Sequence, residues 1–101
     1  MFILVSMGNY ISTDDVRFVL AYNGSTISKT TYQSAHEGNR LVNLTRGKAI
    51  RSLIVLSDKT VVATPVKAST VIRKLNGNDT AEKETEPQKI YYYVSDDEDS
   101  D

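Results

Sequence analysis

A change in composition between Gly77 and Asn78 is the feature that most limits what this chain can fold into. Residues 1–77 hold nearly all the β-branched runs, and their ten basic and four acidic side chains give a net charge of +6. Residues 78–101 carry nine acidic and two basic side chains, a net charge of −7. Polar, acidic segments bury too little apolar surface to fold alone. We therefore predict one basic domain over residues 1–77 and a flexible, disordered acidic tail over residues 78–101.

Short apolar runs and two helical patterns predict an α+β fold for this domain. The expected strands are residues 2–6, 16–22, 41–44, 53–56 and 60–64, with a brief extension at Tyr10 and Ile11. The strands 53–56 and 60–64 flank a short polar turn, which is typical of an antiparallel hairpin. We expect a small antiparallel sheet with two short helices.

The two helices are expected at residues 28–38 and 67–75. The first has few apolar residues, so we predict that it faces solvent and ends at Gly38. In the second, apolar residues recur at helical spacing. Its basic residues, Arg73 and Lys74, are expected to point outward.

The sequence gives little support for catalysis. There is no cysteine, and the one histidine, His36, lies in a polar segment without a nucleophile beside it. The five glycines are isolated and form no phosphate-binding loop. Asp14 and Asp15 fit a turn or helix cap better than a metal site. We predict a non-enzymatic protein with no catalytic residue, no cofactor and no metal.

The ends of the chain carry no pattern typical of a targeting or membrane segment. The apolar start is five residues long and lacks the basic region of a signal peptide. No apolar stretch approaches the length of a membrane span. We expect a cytoplasmic protein that does not contact membrane.

A set of basic residues is the strongest functional signal. Arginine and lysine are the side chains that bind phosphate, and a glycine among them allows close approach of the backbone. The candidate DNA-binding residues are Arg46, Lys48, Arg51, Lys67, Arg73 and Lys74. The alternative is a solvated charged face, with the last two complementing a helix C-terminus. An oligomer would repeat these cations and multiply phosphate contacts.

The acidic tail has three interpretations. It can act as a solubility tail, or it can compete with nucleic acid for the basic residues of the domain. It can also dock on a protein partner through an aromatic cluster. That cluster consists of Ile90, Tyr91, Tyr92, Tyr93 and Val94. Exposed aromatic residues lower solubility, which argues against a purely solubilising role.

Three segments of the domain resemble the RemA/RemB family of extracellular matrix regulatory proteins. The first is GNYIS at residues 8–12, which is similar to the family's Gly-Asn-x-Val-Ser and is followed by Thr13, Asp15 and Val16. The second is TRGKAIR at residues 45–51 leading into LIV, similar to Gly-Arg-Lys-x-Arg-x-Val-Ile-Val. The third runs from VV at residues 61–62 through TPV and STV to RKL at residues 73–75. The resemblance covers about residues 1–76.

The resemblance implies a DNA-binding transcriptional regulator of biofilm-matrix genes in bacteria, assembled as a ring. The positions that match the family's DNA-contacting arginines are Lys48 and Arg51. The sequence departs from the family at Asp14 and Asp15, where RemA-like proteins have an arginine, and in its acidic tail. The alternative function is an oligomeric scaffold that presents the tail to a protein partner and does not bind DNA.

Overall fold

The computed structural model describes residues 1–77 and Tyr93–Val94. Two helices and several short strands form the predicted α+β fold. In chain order the elements are β1 (Phe2–Ser6), β2 (Asn9–Ser12), a 3₁₀ turn (Thr13–Asp15), β3 (Val16–Ala21), α1 (Thr26–Glu37), β4 (Leu41–Asn43), β5 (Ser52–Leu56), β6 (Val61–Thr64), α2 (Ala68–Leu75) and β7 (Tyr93–Val94).

The main sheet has five strands in the order β4-β6-β5-β3-β7. The predicted hairpin is β5–β6, and β3 also pairs antiparallel with β5. The sheet is nevertheless mixed, because β4 runs parallel to β6 and β7 runs parallel to β3. An apolar run in a sequence does not indicate which strand will pair with it, so the parallel pairs are seen only in the tertiary structure.

The main sheet buries both of its faces. Val19 and Ile54 lie on one face, which is covered by α2 and by the separate hairpin β1–β2. Leu20 and Leu53 lie on the other face, which is covered by α1 through Ala35. Successive side chains of a strand point to opposite faces. Burial on both faces explains why β5 is an uninterrupted apolar run after its first residue.

Helix α1 differs from its prediction at its start and in its burial. Ser25 caps the helix, because its Oγ accepts a hydrogen bond from the Ser28 N–H at 3.2 Å. The helix ends at Glu37, directly before Gly38 as expected, but the left-handed residue is Asn39, with φ of 58°. The expectation of a solvent-facing helix was wrong for Ser28 and Ala35, which are buried against the sheet.

Helix α2 buries Val71 and Leu75, as its periodicity predicts. The predicted outward position of Lys74 was wrong. Its Nζ donates a hydrogen bond to the Leu4 carbonyl of β1 at 3.0 Å, which ties the end of α2 to the hairpin. Neither of the helices in the described part of the chain has the length and apolarity that crossing a bilayer requires.

The tail prediction largely concerns residues outside those that the structure describes. Within the tail, Tyr93 and Val94 form β7, which lies beside Val19 and Leu20 of β3. Residues 78–92 and 95–101 lie outside the described residues. The predicted cluster at Ile90, Tyr91 and Tyr92 belongs to that part.

The hydroxyl of Thr64 provides a test of how the hairpin is attached. Thr64 is fully buried; its Oγ1 donates to the Val5 carbonyl and accepts from the Val66 N–H at 3.1 Å. Thr64→Val keeps the shape but leaves both partners unsatisfied, so we expect a loss of about 1–3 kcal/mol in the free energy of unfolding. Urea denaturation measures this loss. The exposed Thr26→Val is the control, and equal stability of the two variants would contradict the assigned role of Thr64.

Candidate nucleic-acid interface

The basic connector predicted at residues 45–51 opens with a tight turn that presents Arg46 and Lys48. The Lys48 N–H donates to the Thr45 carbonyl at 3.0 Å, which closes a four-residue turn. Its two central residues, Arg46 and Gly47, have φ of 56° and 89°. Positive φ at both central positions is the pattern of a type I′ turn. Holding a non-glycine residue there costs about 1–2 kcal/mol, so the structure retains a strained arginine at an exposed tip.

Polar contacts fix the base of this turn. The Asn43 side-chain oxygen accepts from the Thr45 N–H at 2.9 Å and from the Thr45 hydroxyl at 2.6 Å. The Leu44 N–H donates to the Ala63 carbonyl at 2.8 Å, and the Ser6 hydroxyl donates to the Leu44 carbonyl at 2.7 Å. Strands β4, β6 and β1 therefore position the turn jointly.

A cleft of about 620 Å³ lies beside the turn; we call it the basic cleft. Arg46, Lys48 and Lys74 contribute cations to its lining. Its apolar lining comes from Leu4, Met7, Pro65 and Val66. None of its described lining residues is acidic. An array of cations without a nearby carboxylate suits a polyanion such as a phosphate backbone.

The other three predicted DNA-binding residues do not line the basic cleft. Arg51 lies close to it, since its N–H donates to the Thr64 carbonyl at 2.9 Å and Pro65 follows directly. Lys67 is the exposed residue before α2. Arg73 is exposed on α2 beside Lys74. The structure thus gathers three of the six around one cleft and leaves Arg51 at its margin.

The acidic residues Asp14 and Asp15 lie at the other end of the sheet from the basic cleft. Asp14 and Asp15 are exposed in the 3₁₀ turn, where the Asp15 carbonyl accepts from the Ser57 N–H at 2.7 Å. Strand β5 separates Ser57 from Arg51, a distance of roughly 20 Å for six residue steps of about 3.3 Å each. Asp58 also lies at that far end, where the Thr60 N–H stabilises its carboxylate and lowers its pKa. The described carboxylates at that end are therefore too far away to neutralise the positive charge of the basic cleft.

The apolar part of the basic cleft was missed by sequence reasoning. Leu4 and Met7 lie some forty residues before the basic turn. Their sequence pattern predicts only a strand and the turn that follows it. They reach the cleft because Ser6 bonds to the Leu44 carbonyl. No local sequence signal records that contact.

The chain is similar to known proteins over most of its length. Residues 2–75 match the RemA-like family, described as "Extracellular matrix regulatory protein A-like". Proteins named "Putative regulatory protein" in Bacillus cytotoxicus, Bacillus mycoides and Bacillus cereus are each 30% identical to it over 83 residues. The alignment covers 82% of this chain and 94% of each relative.

Two substitutions test the strain in the turn. Arg46→Gly relieves the left-handed strain but adds chain entropy to the unfolded state, so we expect a gain of roughly 0.5–1 kcal/mol in the free energy of unfolding. Gly47→Ala introduces the same strain, so we expect a loss of roughly 1–2 kcal/mol. Chemical denaturation of both variants measures whether the free energy of unfolding rises in the first and falls in the second. A loss of stability in Arg46→Gly would contradict a strained turn.

Proposed function

We propose a DNA-binding regulatory function for this chain, which belongs to the RemA-like family of extracellular matrix regulatory proteins. The basic cleft carries the proposal. Arg46, Lys48 and Lys74 contact phosphates of the DNA backbone, and Arg51 extends the contact at the margin. These contacts orient the protein on DNA without reading its sequence. In this proposal residues 1–77 are the binding domain, the protein is non-enzymatic and cytoplasmic, and residues 78–101 are a regulatory tail.

The second part of the proposal is a ring of identical subunits. The hairpin β1–β2 leaves an apolar face uncovered within the described residues. Leu4 is paired with Tyr10 across the hairpin, and Phe2 lies on the same face. Phe2 and Tyr10 are 68% and 61% exposed, and Met7 in the turn is 65% exposed. Exposed apolar patches of this kind mark protein interfaces.

The apolar face and the basic cleft share residues, and this sharing links assembly to DNA binding. Leu4 and Met7 belong to both surfaces. Contact between subunits through the hairpin therefore brings neighbouring basic clefts close together. A single cleft offers few phosphate contacts, whereas a row of clefts on one DNA multiplies them and raises the salt dependence of binding.

The proposed role of the tail is to weaken DNA binding by competition. Its net charge of −7 nearly balances the +6 of residues 1–77. Strand β7 is observed on the main sheet beside β3, so the tail returns to the basic domain. The acidic run at residues 96–101 follows β7 directly in the sequence. This proximity supports competition within one chain over presentation of the tail to a distant partner.

Removal of two cations from the basic cleft tests DNA binding. We expect the double variant Arg46→Gln and Lys48→Gln to bind duplex DNA roughly tenfold more weakly or worse, because charge-assisted contacts are lost. The slope of log affinity against log salt falls by about 2, one unit for each lost phosphate contact. Fluorescence anisotropy at several salt concentrations measures both. The control is Lys29→Gln, an exposed cation of α1 that does not line the cleft, and its effect is compared per removed charge.

The same titration separates the alternatives. Equal losses per removed charge in the cleft variant and its control would show general attraction rather than a site. If the intact chain shows no DNA interaction, or if Arg51→Glu leaves every nucleic-acid interaction intact, the scaffold function is favoured over the proposal. Deletion of residues 78–101 should raise DNA affinity, more so at low salt because salt screens the competing charges. Unchanged affinity after the deletion would remove the regulatory role of the tail.

Polar substitution of the hairpin face tests assembly. We expect the double variant Phe2→Ser and Tyr10→Ser to reduce the mass in light scattering to that of a single chain, because the apolar contact between subunits is lost. The matched control is Ile27→Ser, an exposed apolar residue of α1 at 42% exposure. An unchanged oligomer in the hairpin variant would place the interface elsewhere.

A further inference from the structure

A second cationic cleft, which we call the α1 cleft, lies between α1 and the main sheet. Its volume is about 570 Å³, and its floor is a row of Phe18, Val55 and Val61 on three neighbouring strands. This row faces α1, whereas the basic cleft lies on the hairpin side. The α1 cleft also lies near the β5–β6 turn, at the opposite end of β6 from Pro65. The two clefts are therefore separate sites that share no described lining residue.

An arginine is held in place at the rim of the α1 cleft. Arg40 is half-buried, and its Nη1 donates to the Lys59 carbonyl at 2.6 Å. Its Nη2 donates to the Ser34 hydroxyl at 3.1 Å. Gly38 makes room for this side chain, because a Cβ there would lie 3.1 Å from the Arg40 Nε. Gly38 itself has φ of −90°, which any residue can adopt, so a side chain there would meet only tight contacts with the guanidinium and with the Ser34 carbonyl at 3.3 Å.

The hydrogen bonds of Arg40 within the described residues do not include a carboxylate. Both of these partners are neutral oxygens, and Arg17 and Lys59 add two exposed cations to the same cleft. No carboxylate lines the cleft among the described residues. Asp14, Asp15 and Asp58 lie at the same end of the sheet, and Glu37 ends α1, but none of these acids lines the cleft. Asp58 accepts from the Thr60 N–H, and Glu37 accepts from the Gln33 amide. An ordered guanidinium with free donors and no counterion fits a phosphate or carboxylate ligand.

The floor of the cleft adds a requirement for a flat apolar group. Phe18 is 39% exposed there, although it belongs to the main sheet. An exposed aromatic ring beside arginines is the arrangement on which nucleic-acid bases stack. The hydroxyls of Thr30, Thr31 and Ser34 line the α1 side and can accept or donate hydrogen bonds. The volume lies within the range of small-ligand sites, about 300–1,000 Å³.

We propose that the α1 cleft binds a nucleotide, with its base on Phe18 and its phosphate on Arg40, Arg17 and Lys59. The ligand is a phosphate ester of a flat aromatic base, either free or at the end of a single strand. The site is independent of the phosphate contacts proposed for the basic cleft. It gives the protein a second anionic ligand on the opposite face of the sheet.

Calorimetric titration of the full chain with AMP tests the proposal, with adenosine and inorganic phosphate as partial ligands. We expect one AMP per chain and at least tenfold weaker binding of either part alone, since each lacks half of the contacts. Arg17→Gln with Lys59→Gln should weaken AMP binding at least tenfold, because both residues are exposed and their loss removes charge-assisted contacts. Phe18→Ala should lower the affinity for AMP but leave the affinity for phosphate unchanged. Arg40→Lys keeps the positive charge but loses the planar set of guanidinium N–H donors, so it should also weaken AMP binding.

The controls separate a site from general charge attraction. Arg46→Gln with Lys48→Gln removes the same charge from the basic cleft and should leave AMP affinity unchanged. If it weakens AMP as much as the α1-cleft variant does, or if AMP does not bind at all, the proposal is overturned. A 5′-phosphorylated single strand that binds more tightly than AMP identifies a strand end as the natural ligand. Tighter binding of AMP identifies a free nucleotide, and neither result depends on binding of duplex DNA.

Discussion

The hairpin β1–β2 is attached to the main sheet through buried hydroxyl groups rather than strand pairing, and the rest of the described structure depends on this attachment. Thr64 donates to the Val5 carbonyl, and Ser6 donates to the Leu44 carbonyl. These bonds place Ile3 and Val5 over one face of the sheet, where they complete the core with α2. They also bring Leu4 and Met7 to the basic turn. Without them the hairpin would not be held over its face of the sheet, and the basic cleft would lose the apolar lining that Leu4 and Met7 supply.

The structure separates charges that the sequence leaves mixed. The cations of the basic cleft lie at the Pro65 end of the sheet, whereas Asp14, Asp15 and Asp58 lie at the end of the β5–β6 turn. Interactions between exposed charges fall off over a screening length of about 8–10 Å at physiological salt. A strand of five residues is longer than that, so the acids do little to cancel the cleft. The three acids therefore affect the far end of the sheet more than they affect the cleft.

Two positions show where the fold accepts a local cost for a cation. Arg46 has a left-handed backbone that glycine would adopt more easily. Gly38 leaves space for the Arg40 guanidinium, although its φ of −90° is open to any residue. Both positions place an arginine beside a cleft without a carboxylate partner among the described residues. Strain and empty space of this kind concentrate at functional sites, which agrees with binding of anions in both clefts.

The sequence by itself determined the α+β class, the hairpin β5–β6, the apolar face of α2 and the close spacing of the cations Arg46 and Lys48. These features depend on neighbours in the chain, such as side-chain period, turn residues and charge within a few positions. Only the tertiary structure decided the parallel pairing of β4 with β6, the inward bend of Lys74 onto Leu4 and the placing of Arg17, Arg40 and Lys59 around one cleft. Those three cations are scattered over 43 positions of the sequence. They meet because β3, the end of α1 and the β5–β6 turn are brought together by contacts between distant residues, which leave no local pattern to read.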